Sequence, residues 1–553
     1  RRKIAKEIEM IKLRKNMMVL LALVFSFSIL LGGCQKNQEK AQENSNVASE
    51  NTKDESKKVL TLCTAKELTN LTTLTMNKEN NMACGLIYET LVAYENGEIV
   101  PKLAESFEYK DDGKTLVFKL KDGVKFSDGE DFNADAVKKI LDFDKSNPNF
   151  AGIRAVAEIK STEVIDDNTI AIHYENPSKF YINGFCFQNV LGMPSPKSFT
   201  EGNFETFNKN IGTGPYVYEE FKSGEYTKFV RNENYHGEKP YYDEVIVKYI
   251  PDASSRLQAL NKGEIDLIYG ADLINYDDFK KGSEIKDVTG EVNKNRTLTK
   301  NLILNPSKKE LEDLKVRQAI NYAINKKDIV DSLTYSYEDV AETLFPKDVA
   351  YCDANYPTNY SYAPEKANSL LDEAGWKLNK DTGIREKDGS PLKLQYVYWS
   401  DLVLAKETAL AIKTQLKEVG IDVDLVEKDQ MSWWTDGIKG EFHLTTWNTE
   451  GSYTEPHKFL QESITEMDPH LMPLKALSDS NIYIDAIKKA STSTNEGEIK
   501  DNIQKAIVYS NENAMDLPLS YSKEMILYRN DKIGGYEFTS TPQFFNIYSV
   551  KAK

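Results

Sequence analysis

The chain has 553 residues, enough for more than one structural domain, and 40% of them are hydrophobic against 28% charged, which excludes a wholly disordered polymer and fits a globular body with a sizeable core. The formal charge is −16. The segment through Cys34 carries seven Lys or Arg and two Glu, a net +5, so the remainder carries −21. A body this acidic excludes non-specific nucleic-acid binding.

The first segment reads as export machinery. Lys12, Arg14 and Lys15 give a basic region, Met17 to Leu31 is an apolar stretch, and Leu31-Gly32-Gly33-Cys34 follows. The stretch is shorter than the about 20 residues a spanning helix needs. The terminal tetrad resembles the lipobox of bacterial lipoproteins, so Cys34 is the expected acylation site and the new N-terminus after cleavage. Residues 35–58 are polar and nearly devoid of apolar side chains, which predicts a flexible tether to the outer face of the cytoplasmic membrane. Cys63, Cys84, Cys186 and Cys352 have no metal-site spacing, and spacing alone leaves their disulfide state open.

Val59 to Thr64 predicts a buried strand and Asn81 to Ala93 a helical stretch. Asp111 to Lys114 is a turn signal before a strand at Leu116 to Leu120. Asn133 caps a predicted helix running to about Asp144, and Thr169 to Tyr174 alternates as a strand. Gly212-Thr213-Gly214-Pro215 breaks the chain before another strand. Strand Glu244 to Ile250, helix Ala253 to Asn261 and strand Ile265 to Ile268 read as a βαβ-like unit. Asn301 to Leu304 reads as a strand, and Val316 to Ile324 and Pro364 to Ala374 as amphipathic helices. Leu392 to Trp399, a helix over 403–419 and Ile421 to Val426 form a strand–helix–strand unit. Two such mixed blocks predict two α/β lobes.

The segment Leu103 to Val137 (LAESFEYKDDGKTLVFKLKDGVKFSDGEDFNADAV) resembles the signature of the family 5 extracellular solute-binding proteins of ABC importers. The likeness continues through IGTGPY (211–216), RNENYHGEKP (231–240), IPDASSRLQAL (250–260), GEIDLIYG (263–270), VRQAINYAINK (316–326) and YAPEKANSLLDEAGW (362–376). It implies a two-lobed α/β clamshell of the periplasmic-binding-protein type, in its large class with an extra domain. One lobe would comprise residues 59–300 plus 523–553, with an extra subdomain at about 101–215, and the other 301–522. The solute would sit between them. It also implies a tethered monomer working with a permease and an ATPase.

NENYHGEKP, Asp339 to Tyr351, Ile384 to Leu392 and Glu441 to Leu460 are more similar to the nickel-binding branch than to the peptide-binding branch. The expected cargo is therefore nickel or a metal chelate such as metal–histidine, with a di- or oligopeptide as the alternative. No resident cofactor is expected. Three of the five histidines, His443, His457 and His470, lie within residues 443–470. The resemblance makes His470 the candidate metal ligand, the alternative being a histidine that serves only its own loop. His443 is expected as a satisfied core group and His457 as a loop-holding one. Trp447 and Tyr453 are candidate cleft aromatics or, alternatively, packing residues, and Met82 is a further cleft candidate. At Asn189 the nickel-binding relatives carry an Arg that grips a chelator carboxylate, and an amide cannot replace that charge. Either the chelator is less anionic, or another Arg such as Arg154 serves. No G-x-S-x-G, H-E-x-x-H or Walker A sequence is present, so the sequence gives no sign of an enzyme.

Overall fold

The computed structural model describes residues 57–75, 81–95, 97–449, 455–539 and 545–553. The leader, the lipobox with Cys34, most of the tether and Tyr453 lie outside the described residues.

β1 (Val59–Thr64) is the predicted first strand, with Leu60 and Leu62 buried. The helical stretch expected to reach Ala93 stops at Ile87, so α1 spans Asn81–Ile87. The cause lies far away in sequence. The amide of Gly214 donates to the Ile87 carbonyl at 2.8 Å, taking the acceptor that a further turn would need. The Gly-Thr-Gly segment is pressed so closely on this helix end that a Cβ on Gly212 would stand 2.1 Å from that oxygen. Only glycine permits the approach.

β2 (Ala104–Lys110) and β3 (Thr115–Leu120) follow, then α2 (Ala134–Ser146), β4 (Ile159–Asp166) and β5 (Thr169–Tyr174). These strands form an antiparallel sheet in the order β2-β3-β5-β4. Asn133 caps α2 as its sequence predicts, its side chain accepting from the Ala136 amide at 2.9 Å. Leu116 and Phe118 from β3, Ile170 and Ile172 from β5, and Val137 and Ile140 from α2 share one apolar core. The chain then returns to β1. β6 (Tyr216–Lys222), β7 (Tyr226–Arg231) and β8 (Glu244–Tyr249) complete a sheet in the order β1-β8-β7-β6, with β1 and β8 parallel.

α3 (Ala253–Lys262) leads to β9 (Leu267–Tyr269). The expected βαβ-like unit is instead a crossover between sheets. β8 belongs to the β1 sheet, whereas Leu267 to Tyr269 pair with Tyr528 to Ile526 in another sheet. After α4 (Tyr276–Ser283) comes β10 (Val288–Leu304), far longer than the Asn301 to Leu304 strand expected. Its first part is polar and shows no clean alternation. It is a strand because the late strand Asp516–Arg529 pairs along most of its length, with register shifts between Val292 and Arg296, Arg296 and Leu298, and Lys300 and Asn301.

α5 (Leu314–Ala323) and α6 (Lys326–Thr334) precede β11 (Lys393–Trp399), α7 (Ala405–Glu418), β12 (Asp422–Lys428), α8 (Gln430–Ile438) and β13 (Leu444–Asn448). β11 runs parallel to both β12 and β13, as the predicted strand–helix–strand unit requires. Ala409, Ile412 and Leu416 are the buried stripe of α7. α9 (His457–Glu462), α10 (Asn481–Thr492) and α11 (Glu496–Glu512) form a helical cluster before β14 (Asp516–Arg529). The strand order of this second large sheet is β9-β14-β10-β13-β11-β12.

Leu60, Leu62, Phe229 and Val245 share a core with Ile526, Tyr528, Ile533 and Val550. Leu302, Leu304, Val316, Ile320 and Ile412 share another with Leu517 and Leu519. β14 contributes to both of these cores. Cys63, Cys84, Cys186 and Cys352 are buried free thiols. No helix among the described residues is long and apolar enough to cross a membrane.

Candidate ligand-binding site

The strand order β13-β11-β12 places consecutive connections on either side of β11. α7 carries the chain from β11 to its neighbour β12, and α8 carries it back past β11 to β13. Such a reversal opens a crevice at the carboxyl ends of parallel strands. The residues there are tryptophans. Trp399 ends β11, Trp433 and Trp434 lie in the first turns of α8, and Trp447 is near the end of β13. Four of the chain's five tryptophans thus form one stack. Trp433 lies 5.8 Å from Trp399 and 5.4 Å from Trp447, with about 30° between planes, and Trp434 lies 5.8 Å from Trp447. Trp433 is buried and donates its indole N–H to Thr445 Oγ1 at 3.0 Å. Trp399, Trp434 and Trp447 are half-buried at the edge of this cluster. The indole N–H of Trp399 is buried with no acceptor among the described residues.

Trp447 also meets His470, edge to face, at 6.0 Å and 78°. His470 is 2% exposed. Its Nδ1 lies 2.7 Å from Asp468 Oδ1 and its Nε2 3.2 Å from Asp516 Oδ1. Asp516 is anchored in turn, accepting from Asn301 Nδ2 at 2.7 Å and from Ser510 Oγ at 2.9 Å. Burial opposes charge on the ring, but the carboxylates at both nitrogens outweigh it and hold the imidazole up at about 10. Both nitrogens are therefore engaged, and the ring is an imidazolium at neutral pH.

The structure brings Trp447 and His470 together. It places the other described sequence candidates elsewhere, and Tyr453 lies outside the described residues. Met82 is buried in α1, in the core beneath β1. Asn189 is half-buried in the short helix Gln188–Leu191. Arg154 is committed to Glu158, donating from Nε at 2.6 Å and from a terminal nitrogen at 3.1 Å, and lies over the Tyr181 ring. His443 is half-buried, its Nδ1 accepting from the Gln395 amide at 3.2 Å and its Nε2 3.2 Å from Glu310. His457 opens α9 as a buried, neutral ring, its pKa driven well down by burial, with Nε2 at 2.9 Å from Ser491 Oγ. Among the described residues, no group of three or more His, Cys, Asp or Glu side chains is placed to hold a metal ion by itself.

Sequence reasoning missed Trp399, Trp433 and Trp434, although the crowding of tryptophans between 399 and 447 was a usable signal. It missed Asp468 and Asp516 because acidic residues are common in this chain and only contact singles them out. A cavity of about 580 Å³ opens elsewhere, lined by charged residues including Glu89, Lys102 and Lys121, and by His236. It is not lined by the tryptophans.

Comparison with known proteins fits this geometry. Residues 98–466 match the profile of the bacterial extracellular solute-binding proteins, family 5. The nickel-binding periplasmic protein of Escherichia coli is 31% identical over 454 residues, covering 80% of this chain and 85% of that protein. The oligopeptide-binding protein AppA of Bacillus subtilis is 30% identical over 349 residues, 60% of this chain and 61% of AppA. Among solved structures, NikA from Brucella suis in complex with Fe(III)-EDTA superposes with a TM-score of 0.85 at 30% identity, covering 90% of this chain and all of NikA. NikZ from Campylobacter jejuni in complex with Ni(L-His) gives 0.74 at 25% identity, covering 89% of this chain and 99% of NikZ. The chain belongs to the family 5 bacterial extracellular solute-binding proteins, and its fold is the mixed α/β fold of two-lobed binding proteins.

Proposed function

We propose that this chain is the substrate-binding component of an ABC importer, exported and tethered through an acylated Cys34, and that its cargo is nickel carried by a small organic chelator such as histidine. The observation that carries this reading is the tryptophan stack at the carboxyl ends of β11 and β13, joined through Trp447 to His470. Indole faces pack the carbon skeleton of a chelator. To ligate a metal His470 would have to release its Nε2 proton, which Asp516, the more distant of its two carboxylate partners, is placed to accept, so that the neutral ring nitrogen faces the cargo. Asn189 and the Glu158-bound Arg154 offer no free guanidinium to a chelator carboxylate, which favours a weakly anionic chelator over a carboxylate-rich one. Tyr453 completes the proposed contacts. The Ni(L-His) complex of the Campylobacter jejuni relative supports the same chemistry.

The cargo would sit between a lobe of residues 59–300 plus 523–553, including a subdomain at about 101–215, and a lobe of residues 301–522. The two separate cores at opposite ends of β14 support that division, and the register shifts of β10 support a hinge there. Cargo contacts from both lobes favour the closed state and create the face a permease reads. Capture of a di- or oligopeptide is the second reading, favoured by the 30% identity to an oligopeptide binder.

Calorimetry with nickel plus L-histidine tests the first reading. Heat of binding that disappears in His470→Ala supports it. No heat with wild type, or heat that survives unchanged in His470→Ala, overturns it. Native mass spectrometry of the ligand that co-purifies with the protein separates chelate from peptide.

A further inference from the structure

The segment after β5 reaches across to the helical cluster of α9, α10 and α11. Phe180 lies flat on His457, ring centroids 3.6 Å apart and planes 7° from parallel. Three residues on, Asn183 Nδ2 donates to Glu455 Oε1 at 2.9 Å. Lys179 Nζ pairs with Glu496 at 2.5 Å, and Glu496 also accepts from Tyr351 OH at 2.9 Å. At the β2–β3 turn the approach is so close that a Cβ on Gly113 would fall 2.4 Å from Thr494 Cγ2. The contacts from Gly113, Lys179, Phe180 and Asn183 join residues more than 250 positions apart, and they bridge the two lobes of the proposed clamshell.

Glu455 is the unusual member. It is 8% exposed, and its second oxygen accepts the His457 amide at 2.6 Å. Lys458 on α9 is the cation that favours its charge. From the facing elements come neutral or committed groups. Asn183 is an amide, Tyr351 is bound to Glu496, and Cys352 is a buried thiol whose pKa burial drives up. Arg154 faces the neighbouring His457 and is held by Glu158.

We infer that Glu455 is a positioning residue for closure: its carboxyl group is sealed against Asn183 only while the Lys179–Asn183 segment rests on the helical cluster, so closing takes up a proton and strengthens as pH falls from 8 to 6. Burial pushes this carboxyl up to about 7 despite its donors and Lys458, whereas in an open form it would titrate near the ordinary glutamate value of about 4.3. The sign follows from linkage. A group whose pKa is higher in the closed state favours closure below that pKa and ceases to favour it above. His457 stays neutral across this window, and Glu496 stays charged, its pKa lowered by Lys179.

The inference rests on the two-lobed capture reading but not on the identity of the cargo, so the test uses the full chain without cargo. Small-angle X-ray scattering at pH 8 and pH 6 reads the closed fraction. Wild type should show the closing constant rising about tenfold from pH 8 to pH 6. Glu455→Gln, neutral throughout, should close equally at both pH values. Phe180→Ala should lower the closed fraction at both while keeping the pH response. Should the Gln variant fail to fold, Asn183→Ala removes one donor to Glu455 and should move the response to higher pH. A wild-type closed fraction that ignores pH, a full response in Glu455→Gln, an unchanged closed fraction in Phe180→Ala, or an unmoved profile in Asn183→Ala each overturns the proposal.

Discussion

Asp516, the first residue of β14, lies 3.2 Å from His470 in the loop that leads into the short helix Leu471–Lys475. With Asp468 on the other nitrogen, the pair makes a buried three-group cluster directly beneath the face of the candidate site. His470 therefore has a structural duty whatever the cargo is.

Removing the ring should leave two carboxylates buried without their cation. His470→Ala is expected to destabilise the protein by about 3–5 kcal/mol, read as a lower urea midpoint with an unchanged m-value. A loss below about 1 kcal/mol would mean that water or another cation already serves these carboxylates.

The same cluster sets an alkaline dependence. The folded-state pKa of His470, about 10, lies above the unfolded value of about 6.5. Its stabilisation is fully present below pH 6.5 and is lost as pH rises through 10. The stability difference between wild type and His470→Gln should shrink steadily between pH 7 and pH 10. A difference that stays constant over that range contradicts the clamped imidazolium.

Trp447→Ala should cost affinity as well as packing. A loss of at least tenfold in affinity for nickel–histidine, about 1.4 kcal/mol, is expected by calorimetry. Trp376, in a separate core, provides the comparison: Trp376→Phe should leave affinity unchanged.

Gly214→Ala would place a methyl group 2.6 Å from the Ile87 carbonyl. The backbone cannot yield there without breaking the bond from the Gly214 amide. A loss of about 1–3 kcal/mol is expected, measured as a fall in Tm of the purified variant.

The four described cysteines should be silent to a thiol reagent in the native protein, since burial both hides them and pushes the Cys63 and Cys84 thiols up to about 12. After denaturation without reductant all four should react. A fifth equivalent would mark an unacylated Cys34. Fewer than four would indicate a disulfide.

Much of the fold was legible in the chain. β1, β5, the capped α2 and the β11–α7–β12 unit were readable because each carries its own signal: a short apolar run, strict alternation, or an Asn cap before a buried stripe. α1 was read too long and β10 too short for one shared reason. Their limits are set by partners remote in sequence, Gly214 for the first and β14 for the second. At the site, the resemblance pointed to Trp447 and His470, which do meet. It could not reveal that Arg154 is already held by Glu158, since nothing in the local sequence distinguishes a free guanidinium from a paired one.

The sequence by itself determined the composition-level class, most of the local elements and membership in a binding-protein family, because these depend on neighbours along the chain. The tertiary structure decided which tryptophans stack, which nitrogens of His470 are occupied and which carboxyl group is sealed between distant segments. Those properties depend on distances between residues far apart in sequence, and burial among such neighbours sets a side chain's charge and availability.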